Sequence, residues 1–191
     1  MDTLPFGNTQ DKSLDILGTG NLKYRNITVS GGIATGTSTL ARSLAESLGW
    51  KRINAGDIQR EYDRERGASE HFSGSDTRSD EHERAIETMT QQKLMKENNL
   101  VYEAWLSGFV ARDIKDVLKV LLVCDDALRI DRVVNRDKMT VADAKKQIES
   151  REQGNLKKWK EIYENIPESS MNDEQKKGYA EFLKLKVEFL Q

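Results

Sequence analysis

The sequence predicts an α/β fold built on a parallel sheet, and three observations carry that expectation. Short strand-like runs alternate with helical patterns along most of the chain, as βαβ units require. One run, LKVLLV at residues 118–123, is almost wholly apolar, as expected of a central parallel strand covered on both faces. The first strand-like run, near residues 26–30, passes straight into a glycine-bearing loop at 31–38 and then into an amphipathic helix. A strand, a glycine turn and a helix N-terminus form an anion site, because the first amides of a helix lack intrahelical partners and its dipole favours negative charge there.

The bulk properties set limits. A chain of 191 residues is long enough for one domain with a sizeable core and a small inserted lid. Thirty Lys and Arg against 32 Asp and Glu leave a formal charge of -2, which argues against a general binder of nucleic-acid polymers. The single cysteine, Cys124, lies in the apolar run LLVC and reads as a small buried hydrophobe in a reducing compartment. The first residues show no basic segment followed by an apolar one, and no apolar run approaches a membrane span. The expectation is a cytoplasmic protein, a monomer, with no membrane partner.

Element by element, residues 1–24 read as a flexible polar arm, with one docked turn at Leu14, Ile16 and Leu17, and residues 25–191 as one domain. After the first strand and loop, Leu40, Leu44 and Leu48 recur at helical spacing over Thr37–Leu48, and Gly49 follows as a C-cap. A short strand at Lys51–Asn54 leads to Asp57, which is placed to cap a helix over 58–66. The polar stretch 67–79 predicts a loop, and 80–97 a long polar helix. Leu100–Glu103 (LVYE) is a third strand, with a short helix expected near 110–117 and the strand 118–123 after it. Asp125 and Asp126 open a helix to about residue 135; Thr140 caps the next, with Asp143 at its third position. A separate helix is expected over 156–164, ended by Pro167. Residues 172–191 fit a helical face, yet 183–189 also alternate like a strand; length and Glu, Lys and Gln content favour helix. His71 and His82 read as surface residues.

Ligands of parallel sheets bind beyond the carboxyl ends of the strands. The loop 31–38 and the turns at 55–57 and 103–106 all follow strands, so they should meet on one edge. Residues 31–38 fit the phosphate-loop pattern G-x-x-x-x-G-K-[ST] at every fixed position but the seventh, where Thr37 stands for lysine. Arg129, Arg132 and Arg136 fall on one side of their helix and read either as phosphate-closing arginines or as a solvated face. Asp57 reads equally as a helix cap or a substrate ligand, and Trp105 as a base-stacking or a packing residue.

Taken together, ITVSGGIATGTSTLARSLAESLGW, INAGDIQREY, LVYEAWLSGF, DALRIDRVVNRD and ESREQGNLKKWKEIY resemble the cytidylate kinases, in the compact archaeal-type branch of the P-loop nucleoside monophosphate kinases. The resemblance spans about residues 27–163. It implies a three-layer fold with a parallel central sheet, a monophosphate-binding segment at about 57–98 and a lid at about 136–160. It also implies transfer of the terminal phosphoryl group of ATP, with Mg2+, to CMP or dCMP, its partners being small-molecule nucleotides. Gly31, Gly32, Ile33, Ala34, Thr35, Gly36, Thr37, Ser38 and Thr39 would then cradle the donor phosphates, with Ser38 as the metal ligand. Gly56, Asp57 and Arg60 would meet the acceptor phosphate, together with Trp105 and Lys158. Arg132, Arg136 and Arg151 match the catalytic lid arginines, whose planar guanidinium suits phosphate.

The chain departs from the family pattern at four places. Thr37 replaces the loop lysine, as threonine does in some archaeal-type members, Ala104-Trp105 stands where Gly-Arg is expected, Lys158-Trp159 where Arg-Tyr is expected, and no apolar last strand is evident in 164–191. These departures keep two other readings open: a P-loop kinase for another nucleotide or a small hydroxyl metabolite, and a nucleotide-binding module with little catalysis.

Overall fold

The computed structural model describes residues 23–68 and 74–164. Four parallel strands, β1 (Asn26–Ser30), β2 (Lys51–Asn54), β3 (Leu100–Glu103) and β4 (Val117–Leu121), form one sheet in the order β2-β3-β1-β4. The helices are α1 (Thr37–Leu48), α2 (Ala55–Glu65), α3 (Asp80–Lys96), α4 (Ser107–Val110), α5 (Asp126–Asp137) and α6 (Val141–Glu164), with a 3-10 turn at Ser75–Thr77. The chain thus alternates strand and helix as the sequence predicts, and no described helix is long and apolar enough to cross a membrane. The arm to residue 22, His71, Pro167 and residues 172–191 lie outside the described residues.

Strand alternation sorts the core into two layers about the sheet. Ile27, Val29 and Val101 face Ala41 and Ala45 of α1, with Leu40, Leu44 and Leu48 packed around them. On the other face Tyr102 and Val117 pack with Ala55 of α2 and Leu94 of α3. β1 lies between β3 and β4 and is buried at all five positions, so its polar residues depend on partners inside; the Thr28 hydroxyl has none among the described residues. Asn26 is fully partnered: its Nδ2 donates to the carbonyls of Leu94 and Glu97, at 3.0 and 2.8 Å, and its Oδ1 accepts from Leu100 N at 3.0 Å. One buried amide thereby joins the end of α3 to the start of β3. The Tyr102 hydroxyl is satisfied by Thr90 at 2.8 Å.

Several local expectations are corrected. The apolar run at 118–123 forms β4, which pairs only with β1 among the described residues, and Leu118, Leu121 and Val123 are exposed. Apolarity marks a strand but does not order it; the crossover connections do that, and they place β1 centrally. α2 begins at Ala55 rather than 58, because the Asn54 side chain accepts Gly56 N at 2.9 Å; Asn54, not Asp57, is the cap. The short helix after β3 lies at Ser107–Val110, earlier than expected. The two helices expected after Thr140 are one, running through Gly154 to Glu164. Thr140 caps it as predicted, accepting Asp143 N at 3.1 Å while donating to the Asp143 carboxylate at 2.7 Å.

Candidate active site

The strand ends gather three turns on one edge of the sheet. Parallel register aligns Val29 with Glu103, and Asn54 with Glu103 in turn, so the ends of β1, β2 and β3 adjoin. The loop after β1 is shaped by close approach. A Cβ at Gly31 would stand 2.7 Å from the Leu122 carbonyl, so no side chain fits there. Gly36 takes φ 101° to start α1, a conformation that favours glycine, and no side chain caps the helix. The first amides of α1 therefore remain available to an anion.

Arginines of α5 fasten the loop from outside. Arg129 Nε donates to the Ile33 carbonyl at 2.9 Å, and Arg132 Nη1 donates to those of Ala34 and Thr35 at 3.0 and 2.9 Å. Arg129 also pairs with Asp126 at 2.8 Å and with Glu152 of α6. Burial pushes the Glu152 carboxyl up, with Arg129 opposing it. A cleft of about 890 Å³ opens beside the loop, lined by residues 34–40 and Ser43 on one side and by Cys124, Arg132 and Arg136 on the other. Cys124 is half-buried on this wall, its sulfur 3.2 Å from Arg132 Nη1, rather than enclosed in the core as expected. The cause is that the chain leaves the sheet at Leu121, before the cysteine.

Beneath the first turn of α1 lies Glu103, the last residue of β3 and only 4% exposed. Its Oε1 accepts from the hydroxyls of Ser38 and, at 3.2 Å, Thr37; its Oε2 accepts from Arg52 Nη2 at 2.7 Å and Nε at 3.2 Å. Sequence reasoning named the turn after β3 but missed this carboxylate. An acid ending an otherwise apolar strand, next in register to the loop strand, was the available signal. Ser38 and Glu103 together offer the hard oxygen donors that suit Mg2+.

A second cluster of arginines gathers around α2, the 3-10 turn, the end of α5 and α6. Arg60 pairs with Asp57. Arg78 is nearly enclosed and held by Asp63 at 2.7 Å and Glu83 at 3.2 Å. Arg136 is held by Asp137 at 2.7 Å. Arg151 of α6 lies within the field of all three, with Asp63 opposing them, and its buried Nε has no hydrogen-bond partner among the described residues. Burial first, then the charges of Arg60, Arg136 and Arg78, push it down to about 10. A half-buried guanidinium among three others, with its Nε free of a hydrogen-bond partner, is chemically suited to an anion. Sequence reasoning named Arg60, Arg136 and Arg151 but missed Arg78, which looked like loop polarity.

α6 is docked against the 3-10 turn and the start of α3. Asn155 Oδ1 accepts from Ser75 N at 2.7 Å and Ser75 Oγ at 2.8 Å, and Lys158 Nζ pairs with Asp80 at 2.7 Å. Gly154 leaves room for the Asp76 side chain, since a Cβ would come within 2.8 Å of its carboxyl carbon in the position it takes. Trp105 packs edge-on against Trp159, with ring centroids 5.2 Å apart and planes at 83°. Thus two of the sequence departures meet in space. His82 is half-buried and stacked on Tyr62 at 3.6 Å, not a free surface residue as expected, because α3 turns its first-turn histidine toward α2.

A family model described as an AAA domain matches residues 27–157. A cytidylate kinase of Methanopyrus kandleri is 35% identical over 146 residues, covering 72% of this chain and 75% of that protein. A cytidylate kinase of Pyrococcus furiosus is 36% identical over 138 residues, covering 72% and 70%. Among solved structures, an uncharacterized protein from Eubacterium ventriosum matches with a TM-score of 0.51 at 13% identity, over 75% of this chain and 77% of that one, a likeness of fold. A strand–loop–helix with a bare helix N-terminus, an arginine-lined second site and relatives of this identity over this share of the chain lead to one assignment: the chain belongs to the cytidylate kinase family.

Proposed function

We propose that the protein transfers the terminal phosphoryl group of ATP to CMP or dCMP. The observation that carries this reading is the position of Arg136, which lines the cleft beside the loop and whose charge also acts on Arg151 of α6. Two anion sites share an arginine, and phosphoryl transfer needs two anions brought together with their charge neutralised and water excluded.

In this reading the amides of residues 31–39 cradle the donor phosphates, and Ser38 with Glu103 would hold the Mg2+. When bound, that ion supplies screening of the donor phosphate charge. Gly56, Asp57 and Arg60 meet the acceptor phosphate. Arg151 and Arg136 neutralise charge on the phosphoryl group in transit, and Arg132 positions the loop by its carbonyls while bordering the same cleft. Trp105, with Trp159 behind it, walls the acceptor side, and Lys158 keeps the lid docked through Asp80. A residue such as Trp105 in a family position of arginine leaves more of the acceptor charge to Arg60 and Arg151. A near-neutral net charge and a single cysteine support a cytoplasmic enzyme of free nucleotides, acting as a monomer without nucleic-acid polymers.

The test is ADP release from ATP and Mg2+ across CMP, dCMP, the other nucleoside monophosphates and a set of small hydroxylated metabolites. The expected result is the highest kcat/KM with CMP or dCMP. Release with none of them, or with another acceptor foremost, overturns the reading.

A further inference from the structure

A phosphate loop without lysine still has an acid beneath it. Glu103 is almost fully enclosed, directly under the two residues that open α1, and a carboxylate there repels the phosphates that the loop would hold. Thr37, in the lysine position, contributes only a hydroxyl. The cation that meets Glu103 comes from a different element. Arg52 of β2 aligns with Val101, two residues before Glu103, so both project on the sheet face that α1 covers. Its long side chain crosses that diagonal and puts both Nε and Nη2 on one carboxylate oxygen, leaving the other to Thr37 and Ser38. Among the described residues this is the only ion pair to Glu103.

We infer that Arg52 is a positioning residue that replaces the loop lysine: it offsets the Glu103 charge and fixes the free oxygen on Thr37 and Ser38, so that a polyphosphate binds a loop lacking its own cation. This rests on the donor half of the proposed function and not on the identity of the acceptor. The arrangement differs from a loop lysine in kind. A lysine at position 37 would meet the phosphates themselves, whereas Arg52 acts through the carboxylate and stays 24% exposed at the side.

Calorimetric binding of ATP, with Mg2+ and with the metal chelated, tests the inference without turnover. Arg52→Met is expected to weaken ATP binding about tenfold or more in both conditions, the scale of one charge-assisted contact. Arg52→Lys keeps most of the affinity, and Thr37→Lys placed on Arg52→Met restores it. Because Arg52→Met alone leaves a buried carboxylate unpaired, the Arg52→Met/Glu103→Gln pair gives a second readout: with both charges gone, metal-free ATP binds as to the unsubstituted protein. Wild-type affinity in Arg52→Met, or a tenfold loss persisting in the double variant without metal, overturns the inference. ATP binding without transfer to CMP contradicts the acceptor reading and leaves this one standing; no ATP binding by the unsubstituted protein overturns both.

Discussion

Burial and three neighbouring arginines hold Arg151 down to about 10, well below a free guanidinium. At neutral pH the folded protein therefore carries a charged group in surroundings that disfavour its charge, and the unfolded chain is free of that cost. The residue proposed for the anion site also strains the fold. Arg151→Met removes the strain and the site together. In ligand-free protein it should raise Tm by about 2–4 °C, the shift that ~1 kcal/mol produces in a domain of this size. The KM for the monophosphate should rise tenfold or more, with a smaller change for ATP, as steady-state kinetics would record. A fall in Tm would mean that Arg151 is held by structural partners instead. At this scale the sequence names Ser38, Arg60, Arg132 and Arg136 as candidates, because they sit at spacings that carry meaning along the chain. It missed Glu103, Arg52 and Arg78, because their meaning is a pairing between distant elements: 51 residues separate Arg52 from Glu103.

Element by element, α6 is where the chain was read least well. A glycine in a helix interior weakens it by about 1 kcal/mol relative to alanine, so a break near Gly154 was the economical expectation. Tertiary packing overrides that preference: Gly154 lets the helix approach Asp76 while Asn155 and Lys158 bond the segments on either side. Gly154→Ala should accordingly destabilise by about 1–3 kcal/mol in urea unfolding despite the better helix former, since overpacking outweighs propensity. Asp76→Ala added to it should recover most of the loss. Recovery failing, the contact would be discounted as the cause.

The first turn of α3 adds a pH dependence. Burial, then Arg78 and Arg66, hold His82 below its usual 6.5. The unfolded chain therefore binds the extra proton more readily, so the stability contributed by neutral His82 is present above pH 6.5 and is lost as pH falls below it. Thermal melts from pH 8 to 5 should show Tm declining over the acidic half, and His82→Gln should flatten that part of the profile. An unchanged profile in the variant would place the titration elsewhere.

For the whole molecule, composition and alternation were enough to predict a parallel α/β sheet, and the loop, the turn at Asn54–Gly56 and the end of β3 do converge on one edge. Strand order was not legible in the same way. β4 is the most apolar run and reads as central, yet β1 holds that place, with polar Asn26 and Thr28 fully buried in it. Hydrophobicity reports how much of a strand is covered, whereas order follows from where each helix crosses. The departures from the family pattern also look different in three dimensions. Trp105 and Trp159 replace distant positions in sequence but pack on each other, and Thr37 sits over a carboxylate already met by Arg52. Neither change removes an anion site. The central claim, that these two sites join ATP to a cytidine monophosphate, is tested most directly by following the phosphorus of ATP in the presence of CMP and Mg2+ by NMR. The account predicts that the γ-phosphorus signal is lost as the two signals of CDP and those of ADP grow in equal amounts. ATP hydrolysed to inorganic phosphate, or left intact, with no CDP formed would contradict it.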